Sequence, residues 1–346
     1  MQLIRCLLSR GIIIFSGFLL VSGHIAYADD DDMTEAQMTK LISTVSDGNS
    51  AFAFYLYTQL KANNNGNLFF SPYSLSIALA MTYAGAKGKT ATQMAKVLHF
   101  PKEQVHAAFH LLQGQVNAAH VQNNNVELRT ANALWGQKRY PFLESFKETL
   151  KKDYEVQVKE VDFRRHYKRI HKEINAYVES QTNDKIKDLI KPGIIKSLTR
   201  LVLVNAIYFK GNWATPFDKD KTEKLPFWLT SNNSVEVPMM NQKSHFSYMD
   251  YDGIQLLELP YAVQKTGKFG YSDDKLSMII LLPKARDGLA QLERLLTVEN
   301  LDRWLDRSYW LKVKVFLPTH VGYHLSLIPM RGEWDCPVGL ELSLLP

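Results

Sequence analysis

The chain has 346 residues, of which 46% are hydrophobic and 22% charged, with 41 basic against 35 acidic side chains. That excludes a disordered chain, which needs less apolar content and more net charge, and 18 glycines cannot fill every third position of a collagen repeat. A formal net charge of +6 is mild for this length and does not by itself point to nucleic acid.

The first residues read as a targeting segment. Arg5 and Arg10 precede or open an almost wholly apolar run, Gly11 to Leu20, and Ala26-Tyr27-Ala28 puts small residues at the two positions a signal peptidase reads. The expectation is a secretory leader over 1–28, too short to span a bilayer, with cleavage before Asp29. Its removal takes away two arginines and no acid, lowering the net charge by two, and leaves Cys336 as the single cysteine. One cysteine forms no internal disulfide and no cysteine metal site, so packing and hydrogen bonds must hold the exported chain together. No later stretch reaches transmembrane length, so the expected product is soluble and extracellular, or periplasmic in a bacterium.

In chain order, Asp29 to Asp32 begins a polar leader covering 29–45. Leu41 to Leu60 carries helical periodicity, with Phe52, Leu56 and Leu60 on one face, and Asn63 to Gly66 reads as a turn. Ser71-Pro72 opens a helix that is apolar nearly all round through Met81, hence buried. Lys102 to Val116 and Leu143 to Asp153 are further helical patterns, with an alternating strand, Val126 to Trp135, between them. Ile170, Ile174, Tyr177 and Val178 form the stripe of an amphipathic helix. Leu201 to Phe209 is a near-continuous apolar run that reads as a strand buried on both faces, with one polar residue, Asn205, in its middle. Leu256 to Leu259 and Leu276 to Leu282 are two more apolar strands separated by a polar loop. In Leu311 to Leu317, residues 311, 313, 315 and 317 form one face and Lys312 and Lys314 the other. No repeat or composition break appears before residue 318, so one α+β domain over 46–318 fits better than two.

Most catalytic patterns fail on inspection. Gly88-Lys89-Thr90 imitates the end of a P-loop, but Tyr83 stands where its first glycine belongs, and a helix rather than a strand precedes it. His106 and His110 are four apart on a helix, without the glutamate or third ligand of a zinc protease. No G-x-S-x-G elbow is present. The expectation is therefore a protein that is not an enzyme and takes no cofactor or metal. Arg164, Arg165, Lys168, Arg169 and Lys172 form the densest basic cluster. At helical spacing Arg165, Arg169 and Lys172 share a face, a candidate patch for an acidic polysaccharide, or simply a solvated face opposite the Ile170 and Ile174 stripe. Asn232-Asn233-Ser234 is a glycosylation sequon.

Several segments, in order, resemble one family. Asn67-Leu-Phe-Phe-Ser-Pro-Tyr-Ser-Leu-Ser-Ile-Ala-Leu-Ala-Met81 is similar to helix B of the serpins, and Gly85 to Thr90 with Gln93, Met94 and Leu98 continues the match. Leu203-Val-Asn-Ala-Ile-Tyr-Phe-Lys-Gly-Asn-Trp213 with Pro216-Phe217 resembles that family's most specific signature. Val237 to Met240, Leu259-Pro-Tyr261, Met278 to Pro283 and Lys314 to Pro318 follow in the right places. The resemblance implies three β-sheets with eight or nine helices and suicide inhibition of a protease, of the serine or the cysteine class. A bait loop is cut, forms an acyl-enzyme and inserts as a strand into the large sheet, dragging the enzyme with it. On that resemblance Ser71, Ser74 and Asn205 belong to a shutter beneath the opening strands, and Trp213 and Thr222 to the breach where insertion begins. They are parts of a conformational switch, not catalytic groups. No nucleic-acid or membrane partner is implied.

The resemblance stops after Pro318. Residues 319–346 show no Glu-Gly-Thr-Glu hinge, no run of alanines and no closing Phe-x-Phe-x-x-Pro pattern. The expectation is a serpin domain incomplete at its C-terminus, without its bait loop and inactive as an inhibitor, with bare sheet edges prone to aggregation. The alternative is a non-inhibitory or decayed serpin serving only as a secreted binding protein.

Overall fold

The computed structural model describes residues 33–62, 68, 70–121, 126–262 and 276–319, and the backbone of two terminal strands, 12–14 and 334–342. The Asn63 to Gly66 turn, the Asp29 to Asp32 run and the loop after Tyr261 and Ala262 lie outside the described residues. The described elements are β1 (Ile12–Ile14), α1 (Glu35–Ala62), α2 (Pro72–Tyr83), α3 (Gly88–Val97), α4 (Val105–Val121), β2 (Val126–Gln137), α5 (Glu144–Tyr154), β3 (Val158–Val161) and α6 (Phe163–Gln181). They continue with β4 (Leu201–Gly211), a 3-10 turn (Lys219–Lys221), β5 (Glu223–Trp228), β6 (Ser234–Tyr251), β7 (Ile254–Pro260), β8 (Ser277–Pro283), α7 (Leu289–Arg294), α8 (Val298–Asp306), β9 (Tyr309–Pro318) and β10 (Trp334–Leu342). The expected α+β architecture is present.

The strands form two hydrogen-bonded networks: β10-β4-β2-β3, and β1-β8-β7-β6-β5 with β9 also on β6. The second is continuous because β6 is 18 residues long and changes partner along its length. It pairs with β5 up to Met239, with β9 from Met239 to Tyr248 and with β7 from Ser247 to Tyr251.

β4 lies at the centre of the first network, and its apolar run is covered on both faces. Val202, Val204 and Ala206 meet Ile170, Ile174 and Val178 of α6, with Ala131 and Ala133 of β2 beside them. Three alanines on that face let α6 approach closely. The residue between them in parity, Leu203, joins Ile77, Ala78 and Met81 of α2 on the other face. Alternation along a strand puts Asn205 on the same side as Leu203, toward α2. α2 itself is buried nearly all round, starts with Ser71 as its cap and Pro72 in its first turn, and has no charged residue in its end turns.

Some periodicities turn out differently. Leu60 is exposed at the end of α1, whose buried residues are Ile42, Val45 and Phe52. Leu311 is exposed, and from Val315 to Pro318 the strand is buried on both faces, so the one-sided alternation expected for β9 is not kept. α6 is interrupted at His166, where the backbone is non-helical (φ −128°, ψ 22°). Arg165 therefore precedes the break, Arg169 and Lys172 follow it, and the three do not form the regular row that spacing predicted.

Two sheet edges expected to be bare carry strands. β10 pairs antiparallel with β4 over nine residues, from Trp334 opposite Gly211 to Leu342 opposite Leu203. β1 pairs antiparallel with β8, Ile12 opposite Leu281 to Ile14 opposite Ile279. An apolar strand left unpaired would hold a row of unsatisfied amide and carbonyl groups, which is the physical drive for any extended segment to settle there.

Candidate functional site: a polar latch and an aromatic stack on one strand

Ser71 Oγ accepts from the Ser74 amide at 3.2 Å, closing the first turn of α2. This fixes Ser74, whose hydroxyl donates to Asn205 Oδ1 across the layer between helix and sheet. Asn205 Nδ2 in turn donates to Asn132 Oδ1 at 2.6 Å, on the register partner in β2. Helix, central strand and neighbouring strand are thus joined by one chain of side-chain hydrogen bonds inside an apolar layer, where Ser74 is 2% and Asn205 3% exposed. None of these groups ionises in ordinary conditions. The neighbouring Tyr73 is half-buried, and desolvation of its phenol pushes the pKa well above the usual value.

The structure brings together all three latch residues anticipated from sequence and adds Asn132. Asn132 was missed because a polar residue at one position of an alternating strand is not anomalous. Its signal was available, since it lies mid-strand with Ala131 and Ala133, both buried, on either side.

The second part lies where β4 ends. Trp213 and Tyr261 stack face to face, centroids 4.8 Å apart and planes 9° from parallel. Both are buried, and their backbones form a bridge. The crossing is tied by Ala214 N–H to Pro260 O at 2.9 Å and Ala262 N–H to Asn212 O at 2.7 Å. Phe209 meets the Tyr261 ring edge-on at 5.1 Å, and Phe217 meets Trp213 at 6.3 Å. Thr222 is half-buried and follows the 3-10 turn, its amide donating to Lys219 O at 3.1 Å. Asn241 of β6 holds the residues on either side of it, donating to Lys221 O and, at 3.1 Å, to Glu223 Oε1.

Gly211 is required by this crossing. A Cβ there would lie 2.6 Å from Tyr261 Cδ1 and 3.0 Å from Phe209 Cζ. Gly211→Ala should destabilise the protein by ~1–3 kcal/mol, the range for forced overpacking. Urea titration of the variant checks this, and an unchanged midpoint would contradict it.

The remaining candidates do not gather into a reactive site. His106 Nδ1 is 2.7 Å from Tyr154 Oη rather than beside another ligand, and burial lowers its pKa, with Asp153 acting in the opposite direction. Among the described residues no group of three or more His, Cys, Asp or Glu is placed to hold a metal ion, and no helix is long and apolar enough to cross a membrane. Arg169 pairs with Glu173 at 3.1 Å and Arg165 approaches Asp162 at 3.9 Å, while Lys172 is exposed. What the latch and the stack can do is mechanical: they hold β4, β2 and α2 in register and must break if those strands part.

The family model Serpin (serine protease inhibitor) matches residues 47–323. Serpin B3 of Homo sapiens is 39% identical over 313 residues, 85% of this chain and 75% of its own length. Leukocyte elastase inhibitor of Xenopus laevis is 39% identical over 291 residues, 82% of this chain and 72% of its own. Among solved structures, ovalbumin from emu (Dromaius novaehollandiae) superposes with a TM-score of 0.71 at 32% identity, covering 80% of this chain and 73% of that one.

Proposed function

Because this chain belongs to the serpin family, we propose that it is a protease-inhibitor scaffold whose working part is the β4–β2–α2 assembly. The relatives include a leukocyte elastase inhibitor, and the reading carried to this chain is the scaffold for suicide trapping of a serine or cysteine protease by strand insertion beside β4, with the bait loop that trapping needs not found in residues 319–346. The single observation that supports it is the latch: Ser74 of α2 donates to Asn205 of β4, a buried bond that any shift of β4 over the helix would break, while Asn205 to Asn132 holds β4 to β2 on the side away from the added strand. The antiparallel pairing of β10 on β4 adds that this edge accepts an extended strand of nine residues. A native state that stores free energy in such an edge can release it when a strand is added.

Residues 319–346 carry none of the hinge or bait-loop pattern, and the test is made on a polypeptide of these 346 residues. Incubated with a panel of serine and cysteine proteases and run on denaturing gels, it should give no covalent adduct, and a stable high-mass band would overturn this. The second reading, a secreted binding protein without inhibitory activity, is favoured by the same pairing, because β10 already lies where an added strand would go. Export is supported by the 1–28 leader pattern, and an N-terminus at Asp29 in protein recovered from culture medium is the expected result.

A further inference from the structure

One enclosed titratable group serves neither the latch nor the aromatic stack. His106, half-buried in the first turn of α4, bridges α2 and α5. Tyr83, the last residue of α2, holds its ring 5.9 Å away at a tilt of 39°, and Tyr154, the last residue of α5, meets the imidazole edge-on at 5.7 Å. Phe100 packs edge-on against both Tyr83 and Phe109 and extends this aromatic wall. The Tyr154 hydroxyl lies 2.7 Å from His106 Nδ1, on a side chain that is only 4% exposed.

Burial pushes the Tyr154 pKa well above the usual value, so the phenol keeps its proton. In the Nε2–H tautomer the neutral imidazole accepts that O–H at Nδ1. A second proton on the ring turns Nδ1 into a donor, ends that acceptance and leaves a cation against aromatic walls. Asp153, half-buried and next to Tyr154 in the chain, attracts a cationic ring, but desolvation outweighs it and holds the His106 pKa below its ordinary value. Lys102 and Glu103 ahead of α4, and Lys151, Lys152 and Glu155 at the end of α5, are exposed, and His110, one turn further along α4, is half-buried. From α1 and β2 this core receives apolar side chains, Ile42, Val45 and Leu134.

The bond ties the start of α4 to the end of α5, just before β3 begins at Val158. β3 is the outer strand of its sheet and is held to β2 by a short parallel register from Leu134 opposite Val158 to Gln137 opposite Val161. A second tie between the helices is neutral, since Gln113, about two turns along α4, donates to Asp153 O at 3.3 Å. We propose that His106 is a proton-operated fastener: in a mildly acidic medium it lets go of Tyr154 and loosens the α4–α5 contact beside β3, while the latch on β4, which has no ionising member, stays closed. The folded protein binds this proton less readily than the unfolded chain does. Its contribution to stability is therefore complete above about pH 6.5 and is lost as pH falls below that value.

The test is hydrogen–deuterium exchange on the full chain at about pH 7.5 and about pH 5.5, one unit either side of the ordinary histidine value, with rates corrected for intrinsic pH dependence. Segments 105–113 and 150–156 should lose protection at the lower pH by up to about tenfold, the most that a ring with an ordinary value near 6.5 can supply there. Segment 201–209 of β4 should keep its protection. His106→Phe, which leaves a ring in the pocket but cannot titrate, should abolish the change, whereas His110→Gln should leave it in place. In the parent protein, an NMR titration of the His106 ring should show a midpoint below the ordinary 6.5, a readout that needs no variant to fold. A midpoint at or above that value, no loss of protection in the parent, a pH response retained in His106→Phe, or an equal loss over 201–209 would each overturn the proposal.

Discussion

Trp213→Ala should lose about 3–5 kcal/mol of stability, the range for removing a large buried aromatic side chain. Trp213 is 4% exposed and its ring lies flat on Tyr261, itself 1% exposed and packed on the Gly211 backbone. Truncation leaves a void that Tyr261 cannot fill without leaving Gly211 and Phe209. The cost is lost transfer energy plus a cavity, and an aromatic pair contributes ~0.5–1.5 kcal/mol beyond area. Chemical denaturation measures it. Trp213→Phe, which keeps a ring over Tyr261, should recover more than half of the loss. A Trp213→Ala variant within about 1 kcal/mol of the parent would show that the stack does not anchor this end of β4.

Asn205→Ala is expected to cost about 2–6 kcal/mol, since it strands both the Ser74 hydroxyl and Asn132 Oδ1, at ~1–3 kcal/mol for each buried group left unpaired. The distinguishing measurement is the combined variant Ser74→Ala, Asn132→Ala, Asn205→Leu. If hydrogen bonding rather than volume accounts for the loss, removing all three polar groups should restore a good part of the stability despite the smaller side chains at 74 and 132. If the triple variant instead shows the sum of three independent losses, the groups do not act as one network. In a protein that opens its sheet, the stable apolar version should also take up an added strand peptide at a different rate from the parent, because the bonds that resist opening are gone.

Much of this was readable in the chain because β4 and α2 are unusual segments. An eleven-residue strand buried on both faces and a helix apolar all round exclude most alternatives, and a single asparagine in such a strand is conspicuous. What escaped had no local anomaly. β6 escaped because strand propensity does not show a partner change at Met239, and because Pro238 reads as a break. The register places it opposite Lys224 of β5, near the point where β6 changes partner. Tyr261 was visible as part of a short signature, but its partner is 48 positions away and only the crossing of β4 and β7 unites them. The row Arg165, Arg169, Lys172 failed for a different reason. Spacing arguments assume an uninterrupted turn, and α6 breaks its turn at His166.

The pairing of β1 with β8 links two events that are normally separate. On the proposed export, cleavage between Ala28 and Asp29 would also release a strand from the molecule, because Ile12–Ile14 lie upstream of that bond. A peptidase acting after assembly would have to pull against those backbone bonds, while one acting earlier would hand on a protein with Ile279 to Leu281 open along one side. The order of processing and folding would then decide whether that seam is closed from within or recruits a neighbour.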